Sequence, residues 1–207
     1  MSSVRVKVIF YSLYGHVFRL AEAIAAGAKE VPGAQVELLQ VAETLPPDVL
    51  AKMGAVEAKK AFAHIPIAEA KQLGEADALL LGTGTRYGSA TAQMQTLLDA
   101  TGSLWTSGAL VGKVGGVFTS SGTQHGGQET TLISMQTFLF HMGMVVVGVP
   151  YAARELMHVG EMSGGTPYGA STIAGPKGER WPSANELAIA RYQGRHTTQI
   201  AAKLAAR

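Results

Sequence analysis

Five near-continuous apolar runs, Val4–Tyr11, Gln35–Val41, Ala76–Gly82, Val114–Thr119 and Met144–Val149, alternate with stretches in which apolar residues recur every three to four positions. A run that is apolar on both faces predicts a strand buried between two layers, and a period near 3.6 predicts a helix with one face in the core. Helices are therefore expected over Val17–Glu30, roughly Ala51–Ala63, Ala90–Ala100, Gly127–Met142 and Ser183–Ala206. The start of the last is the best marked, because Ser183-Ala184-Asn185-Glu186 behind Pro182 has the form of a capping box. Strands and helices in strict alternation, joined by right-handed crossovers, give a doubly wound α/β domain with a five-stranded parallel sheet and helices on both faces. Two segments exceed what that plan requires: Thr44–Leu73, within an insertion at about 44–73, and the Gly-rich Tyr151–Pro182. Long connections inside a compact domain are usually functional or assembly elements, and the absence of low-complexity linkers places both within one domain spanning 1–207.

Composition narrows the chemistry. The chain has 207 residues, no cysteine and a formal charge of +2. Thiol catalysis, cysteine-held metals and iron–sulfur clusters are thereby excluded, and the charge is too small and too scattered to suggest a nucleic-acid partner. No apolar run approaches a membrane span and the amino terminus reads as a strand, so the expectation is a cytoplasmic protein without membrane insertion. The six histidines, His16, His64, His125, His141, His158 and His196, show no pair one helical turn apart, so no metal site is expected. The Lys59-Lys60 pair reads as a solvated face, and Met135, Met142 and Met144 as core fillers.

Ligands of such sheets lie beyond the carboxyl ends of the strands, where the order reverses. The loops after the first, third and fourth strands should converge there. The first is Ser12-Leu13-Tyr14-Gly15-His16-Val17, leading directly into a helix pattern. Backbone N–H groups at a helix start favour a dianion, and Gly15 permits close approach, although an ordinary βα turn would have the same composition. With no Lys or Arg the loop is no nucleoside-triphosphate cradle and suits a phosphomonoester held by neutral donors. The second is Gly82-Thr83-Gly84-Thr85-Arg86-Tyr87-Gly88-Ser89, whose glycines leave room for a flat ring beside Tyr87. Arg86 there is either a partner for an anionic ring or a solvated cation. The third, Ser120-Ser121-Gly122-Thr123-Gln124-His125-Gly126-Gly127, is rich in donors for the polar edge of a heterocycle. One phosphate and one planar, hydrogen-bonding ring describe FMN.

These strings, together with Gly102-Ser103-Leu104-Trp105, Gly164-Gly165-Thr166-Pro167-Tyr168-Gly169-Ala170 and Ala188-Ile189-Ala190-Arg191-Tyr192-Gln193-Gly194, resemble the WrbA family of NAD(P)H:quinone oxidoreductases over essentially the whole chain. The resemblance implies a flavodoxin-like fold, FMN as cofactor, NADH or NADPH as co-substrate, a quinone as acceptor and a homotetramer. It implies that Ser12 to Val17 bind the phosphate, that Thr85, Arg86 and Tyr87 border the isoalloxazine, and that Ser120, Ser121, Gly122, Thr123, Gln124, His125 and Gly126 wrap its pyrimidine side. His141 then completes the flavin site, Tyr14 lies near the nicotinamide, and Trp105 faces the quinone. One departure is visible: Gln124-His125 stand where the family has a purely glycine-rich run, one residue shorter. Without the resemblance, His141 reads as a helix-terminal residue interacting with the dipole and Trp105, in a Gly- and Ser-flanked loop, as a subunit contact.

With FMN carrying the hydride, the expected activity is a two-electron, ping-pong reduction of quinones, the protein's task being placement and electronic tuning. Two other readings compete: a flavodoxin-like electron carrier, for which an acidic surface is expected and not found, and a regulatory protein that uses the fold for contacts. A phosphoacceptor receiver needs acidic residues after the first strand, and Phe10-Tyr11-Ser12 supplies none.

Overall fold

The computed structural model describes residues 3–205. Five β-positions form a parallel sheet in the order β2-β1-β3-β4-β5, built from β1 (Val4–Phe10), β2 (Ala34–Gln40), β3 (Ala78–Gly84), β4 (Val114–Ser121) and β5 (Val145–Val146). The reversal of direction from β1 lies between β1 and β3, so the loops after these two strands open side by side.

Alternate side chains of each central strand serve opposite layers. Val4, Val6, Val8 and Phe10 of β1, with Ala78 and Leu80 of β3 and Phe118 of β4, pack under α1 (His16–Lys29) and α8 (Ala184–Ala205). Ile9, Leu79, Leu81 and Val117 face the other way, against α5 (Ala92–Asp99) and α7 (Gln128–His141). Met135, Met142 and Met144 are buried in this second layer as expected. The first layer has an unusually close seam. A Cβ on Gly27 would overlap the backbone oxygen of Arg191, and one on Gly194 that of Ile24, so α1 and α8 touch backbone to backbone where a larger residue would force them apart. Ala206, where the sequence places the end of the last helix, lies outside the described residues.

Three expectations are corrected. The helix expected over Ala51–Ala63 is broken into the end of α2 (Pro47–Lys52) and α3 (Val56–Lys60), because Gly54 turns the chain at a φ of 66°, and a short α4 (Ala70–Leu73) follows further on. The Trp105 segment, read as a loop, is a short helix, α6 (Gly102–Ser107). The fifth strand is cut short: only Val145–Val146 pair with β4 at Val114 and Gly115, and the far half of that edge is filled by β6 (Ser171–Ile173) beside Thr119 to Ser121. After Val147 donates to Gly115 O, Val149 donates to Pro167 O instead, so the 151–182 segment inserts into the last strand position rather than following it. Among the described residues no helix is long and apolar enough to cross a membrane.

Candidate functional site

At the carboxyl rim, β1 passes through Tyr11 to Gly15 into α1. Ser12 Oγ accepts the Gly15 N–H at 3.0 Å, folding the loop on itself. Gly15 takes the N-cap position at φ 98° with no side chain capping the helix, so the first N–H groups of α1 have no partner within it. Those donors open into a cleft of about 320 Å³ that Ser12, Leu13, Tyr14, His16 and Val17 line from one side.

The other walls come from the neighbouring strand ends. The Thr85 N–H donates to Ser120 O at 2.9 Å, tying the third-strand loop to β4. Thr85 Oγ1 accepts from Thr131 Oγ1 at 2.8 Å and from Gly88 N at 3.2 Å, which fixes the tight turn carrying Arg86 and Tyr87. Arg86 donates once to Thr85 O at 2.9 Å, and the rest of its guanidinium fork borders the cleft. Tyr87, at φ 52°, is fully exposed next to Arg86, outside the residues that line the cleft. Ser120, Ser121 and Gly122 complete this wall. Ser121 Oγ donates to Thr123 O at 2.7 Å and accepts from Gln128 Nε2 at 2.9 Å, so its hydroxyl is already engaged in holding the turn.

A wall not foreseen from the sequence comes from beyond β6. The Ala174 N–H donates to Ser121 O at 2.7 Å, and the chain then crosses in front of α1 as Gly175-Pro176-Lys177-Gly178, which also lines the cleft. His16 Nε2 donates to Gly178 O at 3.1 Å, and the imidazole stacks on Trp181 with centroids 4.8 Å apart. Burial lowers the His16 pKa against the opposing pull of the Gly178 and Arg180 carbonyls, which favours a neutral ring. Nothing near Ser12 in sequence signals this strap.

Lys59 is a further correction. Rather than lying on a solvated face it is largely buried, 2.9 Å from Glu43 Oε2, with Nζ 5.1 Å above the Tyr11 ring and 3.4 Å from Ser12 O. Glu43 accepts from Tyr11 Oη at 2.9 Å and from Gln93 Nε2 at 3.0 Å. Burial alone would push the Glu43 carboxyl up, but the Leu45 N–H, the Lys59 ammonium and the Tyr11 hydroxyl outweigh it and hold the pKa at about 2. The Tyr11 hydroxyl is pushed well up, by burial first and by Glu43 second. Lys60, by contrast, pairs with Glu57 in solvent.

The remaining expected residues are placed elsewhere. Thr123, Gln124 and His125 form an exposed turn outside the cleft, with Gly126 half-buried beside them. His141 is the last residue of α7 and Trp105 sits on α6, 63% exposed. Both helices run away from the rim, and the segments that follow them are joined by the Gly112 N–H to Gly143 O bond at 2.9 Å. Within one chain, therefore, neither side chain reaches the cleft: a 14-residue helix spans about 21 Å at 1.5 Å per residue.

The donor set fits FMN. The cradle offers unpartnered helix N–H groups and hydroxyls to a phosphomonoester, a cradle that a Cβ at Gly15 would press against Trp181, and the opposite end places a cationic fork beside a slot for a flat ring.

Comparison with known proteins agrees. Residues 6–158 match the family described as NADPH-dependent FMN reductase. A protein of Geobacter sulfurreducens named NAD(P)H dehydrogenase (quinone) is 60% identical over 199 residues, 96% of this chain and 98% of its own. One of the same name from Methanosarcina acetivorans is 59% identical over 206 residues, 98% and 99% of the two chains. The crystal structure of a flavodoxin, WrbA-like protein from Agrobacterium tumefaciens superposes with a TM-score of 0.66 at 24% identity, covering 97% of this chain and 99% of that one, and so shares the flavodoxin-like fold. On both the cleft and these matches, the chain belongs to the NADPH-dependent FMN reductase family.

Proposed function

We propose that this protein is an FMN-dependent NAD(P)H:quinone oxidoreductase that reduces quinones to hydroquinones by two electrons. The observation that carries the reading is the two-ended cleft, with neutral phosphate donors at the start of α1 and Arg86 at the other end. When bound, FMN supplies the hydride chemistry, accepting from NAD(P)H and giving to the quinone.

The protein's own residues have separate duties. The amides of Leu13, Tyr14, His16 and Val17 and the Ser12 hydroxyl, placed by the Gly15 N–H that it accepts, would hold the phosphate and so set where the ring sits. Thr85, locked by Thr131 and Gly88, positions Arg86 so that its cation stabilises negative charge arising on the ring. Tyr14, whose hydroxyl donates to Met53 O at 3.0 Å, presents its ring at the cleft edge where the nicotinamide enters. Tyr87 stands exposed beside Arg86 as an aromatic surface for planar substrates. Because both substrates use that open end, the kinetics are ping-pong, with parallel double-reciprocal lines.

The protein acts as a homotetramer in this reading. Trp105 and His141 lie at the far end of their own chain, close to exposed Val111, Phe140 and Val145, and reach a flavin only across a subunit boundary. Light scattering that returns a monomer would remove this part. Stopped-flow mixing with NADH tests the activity itself: rapid bleaching of the flavin supports the enzyme, and reduction only in the presence of a separate reductase replaces it with the carrier reading.

A further inference from the structure

The phosphate end of the cleft is short of positive charge. The loop from Ser12 to Val17 contains no Lys or Arg, yet a phosphomonoester brings close to two negative charges. The cations that surround it are mostly committed: Lys59 to Glu43, Arg19 to Glu22 in solvent, Arg180 to the fully buried Glu186. Arg86 serves the opposite end. Lys177 lines the cleft and, like Arg86, takes part in none of the ion pairs found among the described residues, but it stands at the phosphate end, one residue from the Gly178 that His16 holds.

Its position is built rather than incidental. Gly178 N donates to Gly175 O at 3.1 Å, closing a turn with Pro176 and Lys177 at its tip. Both glycines are left-handed, at φ 82° and 72°, as the reversal demands. One side of the turn is held to the cradle by His16 through Gly178 O. Its far base is clamped by Arg180, which donates to Ile173 O at 2.8 Å, Met162 O at 2.8 Å and Glu186 Oε2 at 2.9 Å. Glu186 also accepts the Gly164 and Ser183 N–H groups and the Thr172 hydroxyl, so the clamp unites the middle of the insertion, β6 and the start of α8. The neighbouring Glu179 is exposed, and one of its carboxylate oxygens accepts the Lys177 backbone N–H at 2.8 Å.

We propose that Lys177 is a specificity-determining residue, the cation that pairs with the phosphate of FMN and makes the site prefer FMN to riboflavin. The inference rests on the cradle assignment above. The side chain is exposed, so its contribution is moderate and screened by salt.

The test titrates full-length apoprotein with FMN and with riboflavin, following quenching of flavin fluorescence at about 20 mM and about 500 mM salt. Lys177→Met is expected to lower the FMN-to-riboflavin affinity ratio about three- to tenfold at low salt, leave riboflavin binding unchanged and flatten the salt dependence of FMN binding. Lys177→Arg should retain the ratio. An unchanged ratio in Lys177→Met, or equal weakening of both flavins, overturns the proposal. If the wild-type protein itself binds the two flavins equally, the cradle assignment fails and this inference with it.

Discussion

The two ends of the cleft are constructed differently. At the phosphate end three elements close on one another: the Ser12 loop is folded on itself, Lys59 braces it from behind, and the 174–181 strap lies across it through His16 and Trp181. At the ring end Tyr87 stands in solvent on a turn held only from below. A cofactor gripped by its tail and bare at its ring is retained through many turnovers while its reactive face stays open to exchanging substrates. The energy of attachment and the chemistry of transfer are thus assigned to separate residues, which is testable.

The largest effect should follow from breaking the support beneath the tight end. Gly194→Val drives a side chain into the Ile24 backbone and separates α8 from α1, with an expected cost of about 3 kcal/mol in chemical denaturation and loss of flavin at the same denaturant concentration. Gly15→Val comes next. It strains a φ of 98° and crowds Trp181, and should weaken FMN binding by about 100-fold in fluorescence titration with the fold kept by circular dichroism. A fully retained affinity would mean the phosphate lies elsewhere.

The brace behind the loop gives a pH signature. Glu43 has its pKa depressed in the folded protein, so its contribution is complete above the ordinary value of 4.5 and fades as pH falls towards about 2. Glu43→Gln should abolish that part of the acid dependence of thermal stability, making the variant less stable at neutral pH and more nearly equal to wild type near pH 2. The smallest effect on binding belongs to the open end. Tyr87→Ala should change FMN affinity by less than about threefold while raising KM for NAD(P)H and quinone, since a surface side chain adds little to cofactor retention. If Tyr87→Ala instead released the flavin, the division between the two ends would be wrong.

What could be read from the chain follows the range of the interactions. Strand β1, its polar turn and α1 are adjacent in sequence, so an apolar run ending at Tyr11 and a helical period from Val17 disclosed both the strand end and the cradle. Wherever position depends on a distant partner, the pattern was silent. Met144–Val149 is one unbroken apolar run, but after Val147 the β4 edge goes to Ser171–Ile173, a contest between two segments that periodicity cannot judge. Lys59 and Lys60 are chemically identical, and only the packing of Phe62 against Phe10 and Phe18 turns the first inward over Tyr11. Likewise Lys177 gains its place from a clamp on Glu186 and a bond to His16, neither of which leaves a mark around residue 177 itself.

The seam between Gly27 and Gly194 sets a timetable for the protein's assembly. The helix that presents the phosphate donors is synthesised more than 150 residues ahead of the helix it lies against. A nascent chain still lacking residues 184–205 has the turn that should seize the coenzyme but nothing to hold it upright. Loading is therefore expected only once α8 has been made and has docked, and shortened forms ending before α8 should emerge colourless.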